Sequence, residues 1–180
     1  PGLSKGKRHF YYLRIESEKG DVLVLPSTAL NKDKPAYYYV TYEGSSSRWA
    51  LILHIVLAIG AVIYWVHTFY YSISHLRTGQ DVFFRKAYSS AFWGNVAFFI
   101  FAVPLGCLIA WETFGTPWTG IPVGWDITDN KSLITLVFYT AALIGARFRL
   151  FSTRTFAVLG IVGLILTIIV YNIPHSYFIQ

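Results

Sequence analysis

Four long apolar segments, each almost free of charge, leave this chain few ways to fold. They run from about Trp49 to Tyr71, Ala91 to Trp111, Ser132 to Phe148 and Phe156 to Tyr171. Each is near the ~17–25 residues that a helix needs to cross a bilayer. The third is the weakest, and the third and fourth are short enough to require tilt, local thinning or protein cover. Only 13% of the residues are charged, against about a quarter in a soluble domain. The expectation is an all-α membrane protein, a four-helix transmembrane bundle over residues 48–180.

Residues 1–47 have a different pattern. Apolar runs at His9–Ile15, Asp21–Leu25 and Ala36–Tyr42 alternate with Glu-Lys-Gly and Asn-Lys-Asp-Lys-Pro turns. Such runs predict short strands. A small β-rich extramembrane cap is expected, equally suited to dock on a partner subunit. His9 reads as a solvated or strand-edge histidine, and Gly44-Ser45-Ser46-Ser47 as the linker into the first span.

The formal charge of +6 follows the membrane logic. Basic residues in such a chain mark cytoplasmic loops and lipid headgroups, not nucleic acid. Arg77, Arg85 and Lys86 are assigned to the loop after the first span; Arg147, Arg149 and Arg154 to that after the third. Glu112, Asp126 and Asp129 against Lys131 mark the loop after the second. The positive-inside rule puts the first two groups inside and the third outside, with both termini outside. Cys107, the single cysteine, excludes an internal disulfide, a cysteine metal site and covalent c-type haem attachment. The chain starts at Pro1 and has no methionine, so an upstream initiator, with a removed signal peptide or other segment, is an expectation.

The five histidines are the chemistry-bearing candidates. His54 stands about one turn into the first span and His175 just past the fourth, both near the outer face. Two neutral imidazoles at one depth in a bundle suit the axial positions of haem iron. The alternative is a pair of interfacial histidines bonded to backbone or lipid. His67 lies roughly 20 Å deeper on the same helix and about 220° round it. It reads as interfacial, like His75 in the following loop, because a second haem would lack a partner there. The loop Gly115–Asp126 is stiff and aromatic, and its Trp118 and Trp125 suit either a porphyrin lid or an interfacial loop. Trp49, Trp65, Trp93 and Trp111 read as an aromatic belt. Asp129 or Asn130 is expected to cap the third span. Pro104 with Gly106 predicts a kink in the second. No catalytic-triad order, phosphate loop or metalloprotease spacing occurs.

Taken in order, these residues resemble the cytochrome c assembly family of haem-handling membrane proteins (CcsA and CcmC type). Trp49 and His54 match a histidine that follows a tryptophan into a span. Ala110-Trp111-Glu112-Thr113-Phe114-Gly115 matches the outer end of another span. Trp118, Trp125-Asp126 and Leu133-Ile134-Thr135 match a tryptophan-rich loop that closes on Trp-Asp and opens a helix. Asn172 and His175-Ser176-Tyr177 match the family's closing segment. The resemblance covers about residues 49–178. It implies that His54 and His175 are the outer axial ligands of haem b, and that the loop of Trp118, Trp125 and Asp126 holds the porphyrin.

Departures from the family pattern narrow the implication. Ile127–Ser132 and Leu136 lack two aromatic positions. The inner histidine that transporting members keep before an arginine aligns here with Gly145, before Arg147. An inward haem station is therefore not expected. The expected function is a haem b electron-transfer subunit of a larger membrane redox complex. Haem delivery for cytochrome c maturation and a cofactor-free structural subunit are the alternatives. Expected partners are membrane lipids, other complex subunits and either a c-type cytochrome or a quinone, with Asp126, Asp129 and Lys131 as proton-handling candidates. The expected location is a bacterial-type inner membrane.

Overall fold

The computed structural model describes residues 8–17, 20, 22–25 and 38–173. Four short strands come first: β1 Arg8–Tyr11, β2 Leu13–Glu16, β3 Val22–Leu25 and β4 Tyr38–Thr41. β2 pairs antiparallel with β3, and β1 pairs antiparallel with β4, placing His9 opposite Val40. Tyr12 interrupts the first apolar run, so it supplies two strands instead of one. The Asn31–Pro35 turn lies outside the described residues.

Helices follow as α1 Arg48–Thr78, α2 Asp81–Ile100, α3 Gly106–Phe114, α4 Ile127–Arg147 and α5 Thr153–Asn172. α2 and α3 form one continuous pass, joined by a π-helical turn at Phe101–Leu105 that contains Pro104. Proline has no N–H to give to the preceding turn, and the chain absorbs the loss as a bulge. The Gly106 N–H reaches back five residues to the Phe101 carbonyl. This is the expected interruption of the second span.

Three passes are long and apolar enough to cross a membrane: α1, α2 with α3, and α5. α4 is a full helix but falls short on hydropathy. Apolar side chains also cover the outside of the bundle, with Ile52, Ile59, Ile63 and Ile169 all exposed. A helix that is hydrophobic all round belongs in an apolar surrounding. The interior is marked instead by small and polar residues, as in membrane bundles. α1 buries Ala61, Trp65, Thr68, Ser72 and His75 along one seam, while α4 buries Lys131, Thr135 and Tyr139.

α1 packs along α2 and α5, and α4 packs on α5 and α2. One core cluster joins Ala61, Trp65, Phe98, Ala102 and Tyr139; a second joins Ala87, Ala91, Ala142, Leu143 and Phe156. Trp65 is 1% exposed, so it belongs to the core and not to the expected aromatic belt. Trp49, Trp93 and Trp111 are exposed.

The turn between α1 and α2 is only Gly79 and Gln80. Arg77, Arg85 and Lys86 are therefore helical, and His75 sits in the last turn of α1, not in a loop. The Gly-Ser linker is also more than a tether. The Gly44 N–H donates to the Thr113 carbonyl at 2.8 Å, and the Ser47 N–H and hydroxyl donate to the Glu112 carboxylate at 2.6 and 2.5 Å. A carboxylate on α3 thus satisfies the start of α1 from across the bundle.

Candidate functional site

His54 continues the buried seam of α1 outward. Positions 54, 58, 61, 65, 68, 72 and 75 recur at three- and four-residue steps, so they share one helix face. His54 is half-buried, and its ring lies 4.1 Å from that of Phe101 at 40°. Phe101 opens the π-helical turn, so Pro104 and the histidine's neighbour are linked through backbone geometry. His54 Nδ1 is buried, and the imidazole's polar neighbour is the backbone of Phe101.

Below His54 a cleft of about 540 Å³ separates α1 from α5. Ala58, Trp65, Phe98, Phe101, Thr167 and Tyr171 contribute to its walls. Its lining is apolar and aromatic with a few hydroxyls, the usual character of a small-molecule site.

His175, the expected second ligand, lies outside the described residues with Ser176 and Tyr177. Ile173, two positions before His175, is described. Its carbonyl accepts a hydrogen bond from Lys131 Nζ, and Lys131 is only 3% exposed. Lys131 therefore holds the end of α5 as a cationic cap.

The tryptophan loop joins the same end of the bundle. Trp118 is half-buried, and its indole N–H donates to the Ile121 carbonyl at 3.1 Å. Trp125 is 84% exposed and borders a hollow of about 450 Å³ with Lys131, Ile134, Val170 and Ile173. Asp126 is the N-cap of α4, accepting from the Thr128 and Asp129 N–H groups at 2.9 and 3.1 Å. The cap is thus Asp126, not Asp129 or Asn130. Those two reach back to the loop: Asp129 accepts from the N–H groups of Thr119 at 2.6 Å and Gly120 at 3.1 Å, and Asn130 from that of Ile121 at 2.8 Å. The carboxylates at this end are spent on shaping the loop. Gly124 permits its closure, since a Cβ there would stand 2.5 Å from the Thr119 carbonyl oxygen.

The remaining histidines differ in kind. His9 and His67 are exposed. His75 is buried with both ring nitrogens engaged, Nδ1 with the Gln80 carbonyl at 3.0 Å and Nε2 with the Thr153 hydroxyl at 3.1 Å. That pairing makes it a structural clamp between α1 and the start of α5. Gly145 is buried, and a Cβ on it would stand 2.0 Å from Phe151 Cε1. The room that an inner histidine would need is filled by the Phe151 ring.

Polar atoms at mid-depth escaped the sequence reading. Trp65 Nε1, Ser72 Oγ, Asn95 Oδ1, Thr135 Oγ1 and Tyr139 OH are buried without partners among the described residues. Their signal was the three- and four-residue spacing of polar positions within apolar helices. No group of three or more histidine, cysteine or acidic residues suited to a metal ion occurs among the described residues. Axial haem ligation requires only two protein ligands. No family model, curated protein or solved structure matches the chain.

Proposed function

We propose that this chain is an integral membrane protein that binds haem b and serves as an electron-transfer subunit of a larger membrane redox complex. His54 and His175 are its axial ligands, near the outer face. The observation that supports this reading is His54 itself: a half-buried imidazole on the seam of α1, packed on Phe101, which also lines the neighbouring apolar cleft. These residues fit the group. A neutral imidazole supplies a nitrogen ligand, and the apolar walls suit a porphyrin.

Held by His54 and His175, haem b would supply one-electron transfer. The chain's own residues bind, orient and shield. Phe101 packs on the His54 ring and limits its rotation. Lys131 fixes the carbonyl of Ile173 and so sets where the His175 segment departs. Asp126, Asp129 and Asn130 hold the loop that carries Trp118 and Trp125.

The arginine-rich ends of α1, α2, α4 and α5 lie on the cytoplasmic side of a bacterial-type inner membrane, with both chain termini outside. A c-type cytochrome or a quinone exchanges electrons with this subunit. Phe151 in the place of an inner histidine favours a chain that holds haem over one that carries it across. Haem delivery for cytochrome c maturation remains the second reading, and loss of the cofactor from a structural subunit the third.

Redox titration of the purified chain, followed by incubation with apomyoglobin, separates these. Reversible cycling with haem retained is the expected result. Transfer of haem to apomyoglobin favours delivery, and absence of haem leaves only the structural subunit.

A further inference from the structure

At the end of the bundle opposite His54, the turns after α1 and α4 border a hollow of about 410 Å³ with a mixed polar and apolar lining. Asp81, Phe84, Arg85, Arg149, Ser152 and Thr153 line it. Beside it, His75 joins the Gln80 carbonyl to the hydroxyl of Thr153, one of the lining residues.

Two arginines line this space from different elements, Arg85 from α2 and Arg149 from the turn after α4, and both are exposed. Among the described residues neither forms an ion pair, with Asp81 or any other acid. Arg149 holds an unusual position. The Leu150 N–H bonds the Gly145 carbonyl at 2.8 Å and the Arg149 N–H bonds the Ala146 carbonyl at 3.3 Å, a Schellman closure with Arg149 at φ 57°. Glycine is the favoured residue there, because a Cβ is strained at positive φ. The sequence keeps a long cation at that point instead. The N-terminus of α5, a helix of 20 residues, opens on the same hollow and adds its positive dipole end. Arg77, Lys86, Arg147 and Arg154 surround it at the same end and are exposed.

Depth supplies the ligand class. α1 has 31 residues and is about 46 Å long, more than the ~30 Å hydrocarbon core, so its Arg77 end reaches the headgroup layer. A basic pocket between helix ends at that level suits a lipid phosphate. Guanidiniums bind phosphate oxygens through paired N–H donors, and two of them outweigh the single carboxylate of Asp81.

We propose that this hollow binds the phosphate of an anionic membrane lipid, with phosphatidylglycerol as the simplest example. The inference rests on the membrane placement of the helices and not on haem.

Native mass spectrometry of the detergent-purified full chain tests it, with phosphatidylglycerol, phosphatidylcholine or soluble glycerol phosphate added. Phosphatidylglycerol is expected to stay bound, and Arg85→Gln and Arg149→Gly each to weaken it about fivefold. Arg149→Gly relieves the positive-φ strain, so its melting temperature should rise while binding falls. That opposition separates loss of the site from loss of the fold. Arg77→Gln removes the same charge outside the hollow and should leave binding unchanged. Equal losses in all three variants, or none, would reduce the effect to general attraction and overturn the site. Equal retention of phosphatidylcholine would overturn the role of charge. Glycerol phosphate binding as tightly as the lipid would assign the hollow to a soluble phosphate and overturn the lipid proposal. None of these readouts involves haem, so a haem-free chain would refute the proposed function without touching this result.

Discussion

Trp65 of α1 and Tyr139 of α4 stack face to face, their ring centroids 4.6 Å apart and their planes 2° from parallel. The pair joins two helices that otherwise meet mainly through their shared neighbours α2 and α5. Both rings are almost fully buried, and Phe98 packs against the indole at 4.9 Å. Trp65→Ala is expected to destabilise the fold by about 3–5 kcal/mol, as for other large core aromatics, and Trp65→Phe by less. Thermal unfolding in detergent, followed by near-ultraviolet circular dichroism, measures this. Equal melting temperatures for wild type and Trp65→Ala would show that the stack carries little of the stability.

Phe151 occupies the space beside Gly145, so any side chain there must displace the ring. Gly145→Ala should cost about 1–3 kcal/mol through overpacking. Adding Phe151→Ala should recover part of that loss, because the two sites share one contact. Gly145→His should destabilise without raising the haem-to-protein ratio. A haem gained in Gly145→His would contradict the claim that this inner position is closed.

Asp126 and Asp129 have separate duties that hydrogen exchange can resolve. Asp126→Ala removes the α4 cap, should cost about 1 kcal/mol, and should speed exchange at the Thr128 and Asp129 amides. Asp129→Ala should instead speed exchange at Thr119 and Gly120. If Asp126→Ala disturbed only Thr119 and Gly120, the assignment of duties would be reversed.

Lys131 anchors the end of α5, just before His175. Lys131→Met keeps an apolar stem but loses the donor. It is expected to lower haem content severalfold with helical circular dichroism unchanged. Unaltered haem content would show that the anchor does not govern the ligand segment.

Three of the helical passes were legible because hydropathy reports them directly, whereas α4 falls short on that measure. Which face of α1 turns inward was not, since Ile52, Ile59 and Ile63 point outward and Ala61, Thr68 and Ser72 point inward. On a helix whose outer face is also apolar, hydrophobic periodicity no longer marks the core. Trp65 was therefore assigned to the belt. Gly79, at φ 69° after Thr78, was an available stop signal for α1 and would have moved Arg77 into the helix. The kink at Pro104 was readable because proline's missing N–H acts locally. The cap of α4 was not, because Asp126, Asp129 and Asn130 all suit it, and only the fold of the loop assigns two of them to Thr119, Gly120 and Ile121. The place of His54 near the start of α1 was legible from the start of the apolar run, while its contact with Phe101 needed the π-helical turn.

The central claim is that His54 ligates haem, and a reduced-minus-oxidised absorbance spectrum with a pyridine haemochrome assay tests it most directly. The full chain, purified in detergent, should give a b-type spectrum near one haem per chain. His54→Ala and His175→Ala should each lose that signal, while His67→Ala keeps it. A well-folded wild-type chain without haem, or a b-type signal that survives His54→Ala unchanged, would contradict the account.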